Sequence, residues 1–266
     1  MKPSKEPRIF AFLDVDRCLL DTEKAFDVVR EVTDQNTSVS KSMIDEAYAE
    51  HKQEGRSFNV TGFIESKLQE DEQWEVDILP DFVRRGRKEG LLMPHGKEFI
   101  SRLGELGIDY GLLTYGSWSN SASDPGLDRD RSIKWQIAKI AADPTLANIP
   151  GIVTHTPRKT EYITNELVER KPGKKPKIVL PSEYTEYGNA PKRVDHAIMV
   201  DDKLIAHENS DPDVIRGVLV TPEGTRNRNN HHKHNDEIFI EGLKRVVGLK
   251  EAADAVEEIA SEFRSK

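Results

Sequence analysis

The stretch IFAFLDVDRCLLDT, residues 9–22, decides how the chain is read. Five apolar residues, Ile9–Leu13, run straight into Asp14 and Asp16. A run of that length and continuity predicts a strand buried on both faces, as inside a parallel sheet. The two carboxylates then fall at or just past the strand tip, where like charges repel unless a cation or a proton relieves them.

Beyond residue 21 the texture becomes helical. Phe26, Val29 and Val32 recur at helical spacing, Met43, Ile44, Ala47 and Tyr48 do so again, and Phe63, Ile64 and Leu68 mark a third helix. Residues 22–92 hold sixteen Asp or Glu and ten Lys or Arg, a net charge of −6. Most of the acidity of a chain whose formal charge is −8 lies there. From residue 93 strands and helices alternate. Phe99, Ile100, Leu103 and Leu106 form one helical face, and residues 108–113 form a second buried strand ending at Thr114. A helix and the strand IPGIVTH follow, then a helix opening near Lys159 and a Lys/Pro-rich loop over 170–177. HAIMVDD is a strand ending in Asp201 and Asp202, IRGVLVT is another strand, and LKEAADAVEEIASEF is the last helix. This alternation predicts an α/β fold with a doubly wound parallel sheet.

Ligands of such sheets bind beyond the carboxyl ends of the strands. Asp14 and Asp16, Thr114, and Asp201 and Asp202 all sit at such ends, so up to four carboxylates are expected in a small volume. Hard oxygen donors of this kind suit Mg²⁺.

Three of these segments together resemble the haloacid dehalogenase-like (HAD) hydrolases. FLDVDRCLLDT resembles the family's first motif, LLTYGS the second, and IMVDDK the fourth. MPHGKEFISRLGELGI is similar to the helix that precedes the second motif in many members. The resemblance covers about 8–21 and 93–221. It implies a Rossmann-like core, 1–21 with 93–266, carrying an inserted helical cap, 22–92. The reaction it implies is Mg²⁺-dependent hydrolysis of a small phosphorylated metabolite. Asp14 is then the nucleophile that forms an aspartyl-phosphate, and Asp16 the acid and base, its backbone carbonyl facing the metal. Thr114, with the amides of Tyr115 or Gly116, holds the phosphoryl group, and Asp201 and Asp202 complete the metal site. The third motif is one basic residue, with Lys159, Lys171 and Lys134 as candidates. Lys159 has the expected placement, opening a helix after a strand; Lys171 lies in a Lys-Pro pair closer in sequence to Asp201. Arg17-Cys18 departs from the Gly-Thr that many members carry after the second Asp.

A phosphatase is favoured over a dehalogenase because Asp16 is present to protonate a leaving alkoxide. A phosphomutase, a phosphonatase using a cap lysine, and a non-catalytic binding or regulatory protein on the same fold are the alternatives. The acidic balance argues against a nucleic-acid partner, and no apolar run approaches a membrane span. The basic start, MKPSKEPR, leads straight into a strand, unlike a signal peptide, so the cytoplasm is the expected location. A single cysteine, Cys18, forms no internal disulfide and reads as a small buried residue. Asp201 and Asp202 also suit the cap of a helix beginning near Lys203. Trp118 is placed either in the pocket wall or in the core. His231, His232 and His234 fit no strong zinc spacing and read as a solvated loop. Nothing in the sequence sets the oligomeric state.

Overall fold

Among the described residues, nine strands lie, in chain order, at Ile9–Leu13 (β1), Asp109–Tyr115 (β2), Gly151–Thr154 (β3), Val168–Glu169 (β4), Lys177–Val179 (β5), Arg193–Val194 (β6), His196–Asp201 (β7), Ile215–Thr221 (β8) and Leu243–Val247 (β9). In the computed structural model, which describes residues 6–53, 58–116, 129–188, 190–222 and 239–265, six of them form one sheet. Its order is β3-β2-β1-β7-β8-β9, and every pairing in it is parallel. The chain builds outward from β1 to β3, then returns to β7 and builds the other way. The sheet's reversal point is therefore the β1/β7 boundary, where ligands of open parallel sheets bind. β4, β5 and β6 make a separate small antiparallel sheet.

The helices are Thr22–Asn36 (α1), Lys41–Gln53 (α2), Val60–Glu65 (α3), Leu79–Glu89 (α4), Gly96–Glu105 (α5), Arg129–Ala141 (α6), Lys159–Tyr162 (α7), Ser182–Glu186 (α8) and Gly248–Ser265 (α9). Contacts divide the chain into two units: 1–20, 92–115 and 149–266 around the six-stranded sheet, and 21–91 with 116–148, which is helical.

In the sheet unit, all five residues of β1 are buried, as expected for a central strand covered on both faces. Register places Phe10 beside Ala197, and Phe12 beside Met199 and Gly111. That face packs with Ile163, Leu167, Ile178, Leu180 and Tyr184, from α8, the small sheet and their flanking segments. α9 packs on β7, β8 and β9, burying Leu249, Ala252, Val256, Ile259 and Phe263, and α5 packs on α9 and β2. Gly111 is required by close approach: a Cβ there would lie 2.4 Å from the Tyr184 ring, whose hydroxyl donates to the Leu112 carbonyl at 2.6 Å.

In the helical unit, Asp21 caps α1 by accepting from the Lys24 amide at 3.0 Å, and Asn59 caps α3 by accepting from Gly62 at 3.2 Å. Ala25, Val28, Val29 and Val32 form the buried stripe of α1. A π-helical turn, Trp74–Ile78, leads into α4. Trp135 of α6 packs its ring on Trp74 and Phe82, at centroid distances of 5.8 and 4.8 Å. The sequence reading keeps all of 93–266 together; by contact, 116–148 groups with the helices, and this aromatic packing is the reason.

Other differences are local. The helix expected from Lys159 is the short α7, followed by a π-helical turn, Ile163–Leu167, and β4. The helix expected near Lys203 is a single 3₁₀ turn, Leu204–His207. The expected 170–177 loop gives way to β5 at Lys177, and β9 was not anticipated.

Two alanine substitutions should act with opposite signs. Gly111→Ala should lower stability by about 1–3 kcal/mol, the range for overpacking. Gly104→Ala, on α5 where a Cβ meets nothing within 4 Å, should raise it by roughly 0.5–1 kcal/mol. Urea midpoints at constant slope read both; equal midpoints for the two variants would contradict the Tyr184 contact.

Candidate active site

β1, β2 and β7 are neighbours and end on the same edge, so their last residues meet. The Asp14 amide continues the ladder by donating to the Val200 carbonyl at 2.9 Å. Asp14, Thr114, Asp201 and Asp202 are all buried. Carboxylate oxygens of Asp14, Asp201 and Asp202 lie within 4.8 Å of one another. Asp202 has one oxygen, Oδ1, that is buried with no hydrogen-bond partner among the described residues. Asp201 uses Oδ1 to accept from the Lys203 amide at 2.8 Å, while the 3₁₀ turn Leu204–His207 that follows has no side-chain cap.

A cation reaches this cluster from the segment after β3. The chain leaves β3 at Thr154, whose hydroxyl accepts from the Thr156 amide at 3.3 Å, and passes Pro157 into α7. The Thr160 hydroxyl donates to the Glu208 carbonyl at 2.6 Å and fixes that turn. Lys159, at the first position of α7, is thereby buried with its Nζ donating to Asp14 Oδ1 and, at 2.6 Å, to Asp201 Oδ2. Lys171 instead pairs with Glu169 at 2.9 Å on the surface, and Lys134 pairs with Glu75 within the helical unit. Neither makes an ion pair with Asp14 or Asp201.

Electrostatics follow from this packing. Burial pushes Asp14 up to about 6; Asp201 adds to the rise, while Lys159 and Lys203 oppose it. Burial also raises Asp202 well above its ordinary value, helped by Asp201 and then Asp14. For Lys159, burial works against the charge, but Asp14 and Asp201 outweigh it and its pKa is raised. One ammonium is thus shared by two carboxylates and strongly held, while burial, and then Asp201, keep Asp14 hard to ionise.

Asp16, Thr114, Tyr115, Pro157, Lys159 and Lys203 line one pocket with Asp14 and Asp201. The Asp16 carboxylate lies outside the close trio. Arg17 sits at φ 60°, the left-handed conformation that glycine adopts without cost. Cys18 is buried, its thiol pushed well above the ordinary range by burial and by neighbouring carboxylates, and so is inert. Gly116 falls in the helical unit by contact. Trp118, His231, His232 and His234 lie outside the described residues.

Two residues escaped the sequence reading. Lys203 was visible in IMVDDK but read only as the start of a helix. His207, on the following turn, is buried; burial pushes it down to about 4, so it is neutral at physiological pH. Gly217 on β8 leaves room for its ring, since a Cβ there would lie 2.5 Å from His207 Nδ1.

Asp202→Asn tests the crowding of charge. The folded-state pKa of Asp202 lies above its ordinary 3.8, so its ionisation costs stability as pH rises through that window. In EDTA at pH 7.5 the variant should melt higher than wild type by about 2–4 °C, the effect of ~1 kcal/mol in a chain of this size. Below about pH 4 the two should converge, because Asp202 is then protonated in both states. An equal or lower melting temperature at pH 7.5 would show that Asp202 is not under charge strain.

No family model matches the chain, and no curated protein matches it. Solved structures do. A Thermotoga maritima protein assigned as a beta-phosphoglucomutase is 12% identical, with 94% of this chain and 99% of that chain covered at a TM-score of 0.50. A HAD phosphatase from Thermococcus onnurineus is 13% identical, with 94% and 97% covered at 0.46. A Burkholderia xenovorans LB400 protein assigned as a haloacid dehalogenase-like hydrolase is 13% identical, with 96% and 99% covered at 0.47. At these identities the likeness speaks for fold alone, and the Thermotoga maritima structure carries it. Among the described residues, no helix is long and apolar enough to cross a membrane. With its six-stranded parallel sheet in the order β3-β2-β1-β7-β8-β9, the chain has a doubly wound α/β fold similar to that of the Thermotoga maritima structure.

Proposed function

We propose that the chain is a Mg²⁺-dependent phosphatase that hydrolyses a small phosphorylated metabolite through an aspartyl-phosphate. The observation that carries this reading is the buried Asp14, ion-paired with Lys159, beside Asp201 at the ends of adjacent parallel strands. Asp14 Oδ attacks phosphorus, and the bond to the leaving oxygen breaks as Asp16 gives that oxygen a proton. Asp16, now ionised, takes a proton from water as the water oxygen attacks the aspartyl-phosphate, releasing phosphate and restoring Asp14. The Thr114 hydroxyl and the amides of Tyr115 or Gly116 hold phosphoryl oxygens, and Lys159 opposes the charge that spreads over them. The helical insertion serves as the cap that selects substrate and excludes bulk water.

The donor set fits a hard divalent cation. The trio is all oxygen, Asp202 Oδ1 lacks a partner, and four carboxylates against Lys159 and Lys203 leave two negative charges when all are ionised. When held by Asp14, Asp201, Asp202 and the Asp16 backbone carbonyl, Mg²⁺ supplies positive charge against the phosphoryl oxygens and among the carboxylates.

Phosphate release from a panel of phosphorylated metabolites, with Mg²⁺ or with EDTA, tests the reading. Turnover should require Mg²⁺ and fall at least ~10³-fold in Asp14→Asn. Turnover that survives Asp14→Asn would remove the aspartyl-phosphate from the mechanism. Mg²⁺ affinity should also depend on pH. Asp14, held near 6, must lose its proton to act as a ligand, so affinity should weaken below that pH by up to ~tenfold per unit. Calorimetric titration at pH 5 and pH 7.5 reads the difference, and equal affinities would exclude Asp14 from the metal site.

A further inference from the structure

Lys203 is the pocket-lining cation for which the hydrolytic steps above have no use. Its base is fixed, because its amide donates to Asp201 Oδ1 at 2.8 Å at the end of β7. Its side chain is exposed and lines the same pocket as Asp14, Asp16, Thr114, Tyr115 and Lys159. Among the described residues, no carboxylate lies within the 4.0 Å of its ammonium that would make an ion pair. The contrast with Lys159 is one of depth and of engagement. Lys159 is buried and already shared between Asp14 and Asp201. Lys203 is exposed at the pocket and holds no carboxylate in an ion pair, although Asp202, then Asp14, Asp201 and Asp16, raise its pKa against the opposing effect of burial.

Depth orders what each group meets. A phosphoryl group attacked by buried Asp14 is met by buried Thr114 and Lys159. The part of the substrate that remains toward solvent is the leaving group, and Lys203 is the cation on that side. We propose that Lys203 is a specificity-determining residue that receives a second anionic group, a carboxylate carried close to the phosphate ester. The substrate class is then a small phosphorylated acid rather than a neutral sugar or polyol phosphate. This inference rests on the phosphatase reading for its chemistry, but the lysine's role is readable by binding alone.

The test compares two near-isosteric compounds, 3-phosphoglycerate and glycerol 3-phosphate, which differ by a carboxylate against a hydroxymethyl group. With Mg²⁺, wild type should prefer 3-phosphoglycerate in kcat/KM. Lys203→Met should lower the ratio of the two kcat/KM values by about tenfold, through KM for the acid, as expected for a partly hydrated charge pair. Lys203→Arg should keep most of the preference. A ratio unchanged in Lys203→Met overturns the proposal whatever happens to absolute rates, as does a wild type without preference. The same ratio is measured as dissociation constants on Asp14→Asn, with and without Lys203→Met. If wild type releases no phosphate while Asp14→Asn still prefers the acid through Lys203, the hydrolytic reading fails and the lysine's role stands. If turnover is sound and the ratio ignores Lys203, the reverse holds.

Discussion

The constraint on which the rest depends is the gathering of Asp14, Asp201 and Asp202 at the ends of adjacent parallel strands, with Lys159 as the buried counter-charge. Parallel pairing forces it. β1 is bonded on both sides, to β2 and β7, so whatever follows Leu13 stands next to whatever ends those strands. Ordinary burial of carboxylates is costly, and here three share one volume. The cost is tolerated because the scaffold beneath is over-determined: β1 is wholly buried, and Phe10 and Phe12 are locked against Tyr184 and Met199. Packing energy in the lower sheet offsets electrostatic strain at its upper edge.

That division between lower sheet and upper edge also explains what was legible in the sequence. β1 and the Ala197–Val200 stretch of β7 are continuous apolar runs, and apolar continuity survives translation into three dimensions because burial on both faces requires it. The acids at their ends were equally visible, since a run that stops in Asp-x-Asp or Asp-Asp places them without any knowledge of the fold. β9 was missed because LKRVV carries two cations and is only half-buried, an edge strand with one neighbour. The small sheet was missed because its strands are two or three residues long and have no period to read. α6 was found as a helix, yet its partners, Trp74 and Phe82, are more than fifty residues away in sequence and lie in another segment.

The choice among lysines shows the same limit more sharply. Lys159, Lys171 and Lys134 are chemically identical, and sequence context could rank them only by what surrounds each one. What distinguishes them is what they touch: Asp14 and Asp201 for the first, Glu169 for the second, Glu75 for the third. Each of those partnerships spans a different sequence distance, and only the first brings cation and acids together below the surface. Lys203 was overlooked for the opposite reason. Its position, directly after Asp202, is plain, but its relevance depends on where its side chain goes, and the reading of Asp201 and Asp202 as caps takes Lys203 only as the start of a helix.

The two lysines differ in what they can respond to. Lys159 sits inside a low-dielectric cluster where its charge is needed merely to keep Asp14 and Asp201 together, and removing it would leave two buried acids uncompensated. It contributes to the site's existence before it contributes to any reaction. Lys203 is exposed and attached to the same strand end through a backbone hydrogen bond; burial works against its charge, and Asp202, Asp14, Asp201 and Asp16 favour it without an ion pair. A site that accepts a phosphate dianion must hold cations of both kinds. A pocket with only engaged cations would resist the approach of negative charge. A pocket with only solvated ones could not stabilise the charge that spreads over a phosphoryl group during transfer. The end of β7 and the start of α7 supply an exposed cation and a buried one.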